Sequence, residues 1–297
     1  MMRFLGSLLV LVVVAGLVCP PAVFGAASPE VAIFKGDDPT NEGIALGGWG
    51  SGSAVKTKEQ ILDGAWSIKI TTQGMYSGAK IEFTQPVTLF SEGPDPTRYV
   101  QFTFFFKDTQ TINPVQGTDY TWADVEPYTK PKASKMRFVF VSDKGETVEA
   151  IEPTGALDPD DNWMRIAVPL AKFKQAGEGS SFVMKSFMVF TDVPSTLYLG
   201  NMKLLSDSTP IKVDPLDPRT VAIMDPQFFV ANATAGVSSL KYSWDFDANN
   251  GIQAECTDMV AKHYYRAGGE YTVTLTVSDA DGLKAPVTVS TTVEVTD

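Results

Sequence analysis

Histidine, cysteine, long apolar runs and helical periodicity are all scarce in this 297-residue chain, and each scarcity removes a class of protein. With His263 as the only histidine, neither a histidine-rich zinc site nor multi-histidine chemistry can be assembled. A Ser-His-Asp triad survives the count, but the sequence has no G-x-S-x-G nucleophile turn to serve it. The two cysteines are Cys19 and Cys256, and the first lies at the end of the one long apolar run. In that run Arg3 precedes Phe4 to Val18, Pro20 and Pro21 end it, and Val23, Gly25, Ala26 and Ala27 offer small residues suited to cleavage. Residues 1–27 therefore read as a secretory signal. The run falls short of the roughly 20 apolar residues that a spanning helix needs, so a membrane is met only through this segment if it stays uncleaved.

Three expectations follow from that signal. The protein is secreted or held at the cell surface, in an extracellular or periplasmic space. Cys256 is then the only thiol, no disulfide closes within the chain, and burial is its expected state. Basic charge is also scarce: 24 Lys and Arg face 35 Asp and Glu, and losing Arg3 with the signal takes the formal charge from −11 to −12. No local Lys/Arg cluster offsets this, so nucleic acid is excluded as a partner.

What the chain does have is strands. EYTVTLTVSDADG alternates Tyr271, Val273, Leu275 and Val277 with Thr and Ser, the period of a strand with one buried face. PVTVSTTVEV follows with Val287, Val289, Val293 and Val295 on one face, so the two make a hairpin around Asp279, Asp281 and Gly282. Upstream, Tyr242, Trp244 and Phe246 alternate in the same way. The segment SDSTPIKVDPLDPRT, residues 206 to 220, carries three prolines and three aspartates and reads as a semi-rigid connector. The expected division is a signal over 1–27, a first domain over 28–206, a linker over 207–220 and a second domain over 211–297. The only helical turns expected are short ones in KTKEQILDG (56–64) and AKFKQAG (171–177).

WDFDANNG (244–251), together with His263, Tyr265, Gly269, Tyr271, Thr272, Val273 and Val277, resembles the PKD (polycystic kidney disease) domain. The match is to its Trp-Asp-Phe-Gly-Asp-Gly signature and the later His-x-Tyr and Gly-x-Tyr-x-Val pattern. The resemblance implies an immunoglobulin-like β-sandwich, with His263 serving packing or a backbone hydrogen bond. The usual Gly-Asp-Gly is replaced here by Asp247, Ala248, Asn249, Asn250 and Gly251, which lengthens the corner. Asp245, Asp247 and Asn249 also share the first, third and fifth spacing of an EF-hand loop. The sixth position is Asn250 rather than Gly, however, and the twelfth is Cys256 rather than Glu. A structural corner is the reading favoured, because Asp and Asn bend chains through bonds to nearby amides; a calcium loop is the alternative.

The first region offers AWSIKIT, YVQFTFFFK, KMRFVFVS, ETVEAIE, WMRIAVPL, FVMKSFMVF and TLYLGNMKL as strands. FTFFF and FVFV are apolar on both faces, which suits a sandwich centre whose outer face is covered or binds something. The order of the last three strands resembles the jelly-roll, galactose-binding-like fold of many carbohydrate-binding modules. The chain departs from it at Gly200 and Asn201, where members often carry an Asp-Asp pair that helps hold structural calcium. The fold class expected is all-β, a jelly-roll sandwich followed by an immunoglobulin-like one, with no cofactor beyond that calcium alternative.

Exposed aromatic rings would mark a sugar-binding face, because sugar C–H faces stack on them. Trp66 shares a strand face with Ile68 and Ile70 and is expected in the core, and Trp163 is expected to pack. Trp49, in GGWGSGS, and Tyr120, Trp122 and Tyr128, in a proline-bounded loop, are the candidate ligand contacts. The function expected is non-catalytic binding of a polysaccharide or cell-surface glycan, with the PKD-like domain as spacer or as a module for other surface proteins. A purely structural matrix protein is one alternative. A glycoside hydrolase or lyase is another: Glu82, Glu149 and Glu152 are available, although no motif pairs them and fold alone confers no chemistry.

Overall fold

The structure, a computed structural model, describes residues 29–116, 125–157, 161–175 and 181–297. The described residues are almost wholly β and form two sandwiches in succession. The first begins with β1 (Val31–Phe34), β2 (Ile44–Trp49), β3 (Ser53–Thr57), β4 (Ser67–Thr72), β5 (Gly78–Phe90) and β6 (Arg98–Phe106). It continues with β7 (Thr109–Ile112), β8 (Tyr128–Pro131), β9 (Lys135–Ser142), β10 (Thr147–Pro153), β11 (Trp163–Pro169), β12 (Phe182–Thr191) and β13 (Ser195–Ser206). One sheet runs β11-β6-β13-β4-β3 with β1 added on β13, and the facing sheet runs β10-β9-β12-β5-β2. β7 and β8 pair as a separate hairpin.

Phenylalanine fills the space between these sheets. Phe102 of the first stacks on Phe138 of the second with ring centroids 4.8 Å apart, and Phe140, Phe173 and Phe187 close around them. Burying each ring fully contributes about 1.5–3 kcal/mol. β6 is buried on both faces, as its double apolar pattern requires: Val100, Phe102, Phe104 and Phe106 point inward while Tyr99, Gln101 and Thr103 are also covered on the outside. All seven strands legible in the sequence are present.

Two local expectations fail. Residues 58–64 form bends, not a helical turn, because the segment is tied across the chain: the amides of Ala65 and Trp66 both donate to the carbonyl of Gly36. Trp66 stops one residue short of β4 and is only half-buried, while Ile68 and Ile70 are fully buried. Its ring is covered instead by the ammonium groups of Lys56 and Lys58, 5.0 and 4.5 Å from the centroid. The expected turn around residue 171 does form, as a 3-10 helix over Leu170–Gln175.

The second sandwich comprises β14 (Lys212–Val213), β15 (Arg219–Ala222), β16 (Gln227–Val230), β17 (Ala233–Thr234), β18 (Leu240–Asp245), β19 (Val260–His263), β20 (Gly269–Asp279) and β21 (Val287–Thr296). Its main sheet runs β15-β21-β20-β18, with β16 paired to β19 and β14 to β17. The β20–β21 hairpin sets Tyr271 opposite Val293 and Val277 opposite Val287. Trp244, Phe229, Phe246, Val273 and Leu275 form the core. The 206–220 stretch is anchored to this body: Ile211 is buried in the second core and β14 joins a ladder.

The two bodies are packed together. Tyr99, Ala167 and Leu205, outward residues of the first, meet Val237 and Leu283 of the second. Asp207 accepts the Val237 amide at 2.9 Å and the Lys284 ammonium at 2.7 Å, and these donors hold its carboxyl down at about 2 against the pull of burial. Lys172 bridges Glu152 of β10 and, at 2.8 Å, Asp281 of the second body. Glu152 is almost completely buried, and that desolvation pushes its carboxyl up to about 7 despite the Lys172 partner.

Candidate functional site

Directly opposed residues of a β-ladder share a face, so the registers define rows across the five-stranded sheet. One row on its outer face is Trp49, Gly78, Phe190, Arg137 and Ile151: Trp49 pairs with Gly78, Val189 with Ala79, Phe190 with Arg137, and Arg137 with Ile151. Trp49 is the last residue of β2 and is 52% exposed, and Ile151 is 47% exposed. Gly78 leaves the space beside Trp49 open for Phe190, because a Cβ there would come within 2.9 Å of the Phe190 ring and 2.0 Å of the Val189 carbonyl.

Arg137 is the centre of this row. Its guanidinium lies 4.9 Å from the Phe190 ring and 5.4 Å from the ring of Tyr76, which is 79% exposed. It donates to the Met75 carbonyl at 3.0 Å and to Glu149 Oε2 at 2.8 Å. The bond from Arg137 holds the Glu149 carboxyl below its ordinary range. The Tyr76 turn abuts the Trp49–Gly50 turn: a Cβ on Gly50 would sit 3.4 Å from the Tyr76 carbonyl. In the neighbouring row Lys80 pairs with Glu82 at 2.8 Å beside Met188 and Val139. The result is a platform with two exposed rings, an arginine fixed between aromatic faces, and carboxylates and a lysine alongside. Rings can stack on sugar C–H faces while charged groups bond hydroxyls.

The expected contacts do not all meet there. Trp49 does belong to the platform. Tyr128 does not: it lies half-buried in β8, lining a groove between the two sandwiches that Trp49 does not border. Tyr120 and Trp122 lie outside the described residues. Tyr76 and Arg137 are the contacts that sequence reasoning missed. Tyr76 sits between Gly74 and Gly78 much as Trp49 sits among glycines, and Arg137 is the lone charge inside the apolar alternation MRFVFV.

The three carboxylates considered for catalysis are separated. Glu82 and Glu149 stand on the outer face in ion pairs, whereas Glu152 points inward to Lys172. A glycosidase needs two carboxyls flanking one bond, and Glu149 and Glu152, three apart in one strand, lie on opposite faces.

In the second sandwich the acidic corners bond their own backbone. Asp245 Oδ1 accepts the Asp247 amide at 2.9 Å and Oδ2 accepts the Gln253 amide, while Asn249 donates to the Glu270 carbonyl at 3.4 Å. Asp279 accepts the amides of Asp281 and Leu283. His263 stacks on Phe246 with centroids 4.2 Å apart and meets Tyr265 edge-on, and burial lowers its pKa. Cys256 is half-buried, less covered than expected, because it lies in the bridge to Trp244 at the border of the core.

Residues 209–295 match the family model of the PKD domain. Among solved structures, a family 30 carbohydrate-binding module is similar at 15% identity, over 63% of this chain and 92% of its own, with a TM-score of 0.37. A family 11 carbohydrate-binding module from Clostridium thermocellum, in complex with a mixed-linked β-1,3-1,4 tetrasaccharide, is similar at 10% identity over 55% and 89%, with a TM-score of 0.31. Among curated proteins no match was found.

Proposed function

We propose that the chain is a secreted or cell-surface, non-catalytic protein that binds polysaccharide through the outer face of its five-stranded sheet. The PKD domain is fixed to the opposite sheet as a rigid spacer. One observation carries this reading: the row Trp49–Gly78–Phe190–Arg137–Ile151, with the exposed Tyr76 ring on the Arg137 guanidinium. Trp49 and Tyr76 supply ring faces, and Arg137, Glu149 and the Lys80–Glu82 pair supply hydrogen bonds to sugar hydroxyls. The separated carboxylates favour binding over hydrolysis. Affinity electrophoresis against a panel of neutral polysaccharides tests it: retardation by at least one, lost in Trp49→Ala and in Tyr76→Ala, is the result expected. Retardation unchanged in both variants overturns the platform, and release of reducing ends overturns the non-catalytic reading. Secretion is tested by sequencing the N-terminus of exported protein, with a start between Ala26 and Ser28 expected.

A further inference from the structure

The groove between the two sandwiches, where Tyr128 lies, has a volume of about 700 Å³ and belongs to neither body alone. Tyr128, Lys130 and Arg165 come from the jelly-roll side, and Tyr242, Asp258 and the Gly236–Ser239 backbone from the PKD side. A hydrogen bond of 3.3 Å between the Tyr99 and Ser238 hydroxyls joins the contacts described above, Asp207 with Val237 and Lys284 and Lys172 with Asp281, in holding the two walls at a fixed spacing.

Its charge runs against that of the rest of the molecule. In a chain of formal charge −11, three cations line this groove, Lys130, Arg165 and Lys203, against a single carboxylate, Asp258. Lys203 is paired with Glu30 at 3.1 Å. The side chains of Lys130 and Arg165 have no hydrogen-bond or ion-pair partner among the described residues, their backbones being paired in ladders. A cleft lined by one sign of charge concentrates counter-ions of the other. Gln101, Arg165 and Lys203 also line an adjoining cleft of about 500 Å³, where Asp63 and Asp161 balance the two cations, so the cationic excess is confined to the groove between the sandwiches. A groove of about 700 Å³ has room for several sugar residues, so its cations suit the charged residues of a longer strand better than a single small anion. Two half-buried tyrosines and the hydroxyls of Ser238 and Ser239 add the stacking faces and hydrogen bonds that sugar rings use.

We propose that this groove is a second binding site, for an acidic polysaccharide strand, with Arg165 and Lys130 as its anion contacts. It is independent of the platform, which lies on the other sheet and carries a different set of rings. Its test is calorimetric titration of the full mature chain with an oligogalacturonate, with the methyl ester of that oligomer, and with a sulfated galactan oligosaccharide. At least one anionic probe is expected to bind, and the ester about tenfold or more weakly, because rim charges set recognition of a charged ligand. The doubly substituted Lys130→Gln, Arg165→Gln chain should lose about tenfold in affinity at unchanged Tm, and salt should weaken binding of the parent. Trp49→Ala should leave it unaltered, which separates this site from the platform. Binding of the sulfated probe alone supports the site and makes sulfate its anion. Equal binding of acid and ester, parent-like binding by the double variant, or no binding of either anionic probe overturns the proposal.

Discussion

On the six-stranded sheet of the first sandwich, the outward residues Tyr99, Ala167 and Leu205 are covered by Val237 and Leu283 of the PKD domain. On the five-stranded sheet, outward Trp49 and Ile151 remain about half exposed and Tyr76 more so. Both faces carry aromatic side chains, and further along the covered face Phe105 packs against Trp163 and Tyr198 with centroids 5.6 and 5.9 Å away. An outward ring is therefore a contact for whatever lies over it. On one face a neighbouring domain provides the cover, and on the other the face is open to a ligand.

The junction between the two bodies is where disruption costs most, and Lys172 belongs to it by joining Glu152 to Asp281. Lys172→Met leaves Glu152 buried without its cation, and breaking a buried pair from one side costs about 3 kcal/mol or more. That cost should be largest at pH 8 and smaller at pH 5, where Glu152 can take up a proton. The unsubstituted chain should show the same sign. Burial raises the Glu152 carboxyl from 4.5 to about 7, so the folded state holds a proton that the unfolded state releases between those values. The stability linked to it is complete below pH 4.5 and is lost as the pH rises through about 7. Urea unfolding at pH 5 and pH 8 measures both, and Glu152→Gln should flatten the dependence.

Next in size is the apolar seam. Tyr99→Ala removes a ring that is 2% exposed together with its bond to Ser238, and should cost about 2–3 kcal/mol. Separate unfolding transitions for the two bodies are expected by calorimetry, with glycan binding at the open platform unchanged. The reverse holds on the open face: the combined Trp49→Ala, Tyr76→Ala chain should lose about tenfold or more in glycan affinity, while its stability stays within about 0.5 kcal/mol because exposed positions seldom matter to folding. If instead the Tyr99 variant lost platform binding, or the Trp49, Tyr76 variant unfolded early, the two faces would not be separable in this way.

Much of this architecture was legible from alternation alone. The β20–β21 hairpin announces one buried face, the seven strands of the first domain announce one or, in β6, two, and the WDFD corner points to the PKD domain. β2 is absent from the strands the sequence offers because IALGGW puts glycines where strands usually carry branched residues; those glycines allow close approach of neighbouring backbone, and only the ladder to β5 shows it. Trp66 looked like core because alternation does not tell where a strand begins, and one residue decides whether a ring faces the interior or two lysines. Of the site, Trp49 could be found from sequence, but its companions could not. Arg137 lies 88 residues downstream of Trp49 and Tyr76 is on a different turn, and only strand order brings them to one row.

The smallest effect is expected at the acidic corners. An ion bound at Asp245 would need carboxylate oxygens free to face it, yet both oxygens of Asp245 face backbone amide hydrogens, which repel a cation from the same side. The other acidic corner cannot supply the missing ligands. Along the β18–β20 ladder Leu240 pairs with Asp279 and Asp245 with Thr274, which puts the two corners five positions, or about 17 Å, apart. Asn249 contributes only a long bond to the Glu270 carbonyl, so Asn249→Ala should change stability by less than about 0.5 kcal/mol. A calcium chelator should leave the melting temperature of the PKD domain where it was, with and without that substitution. A rise in melting temperature on adding calcium, lost in Asn249→Ala, would make the corner a metal loop and give the second domain a ligand of its own.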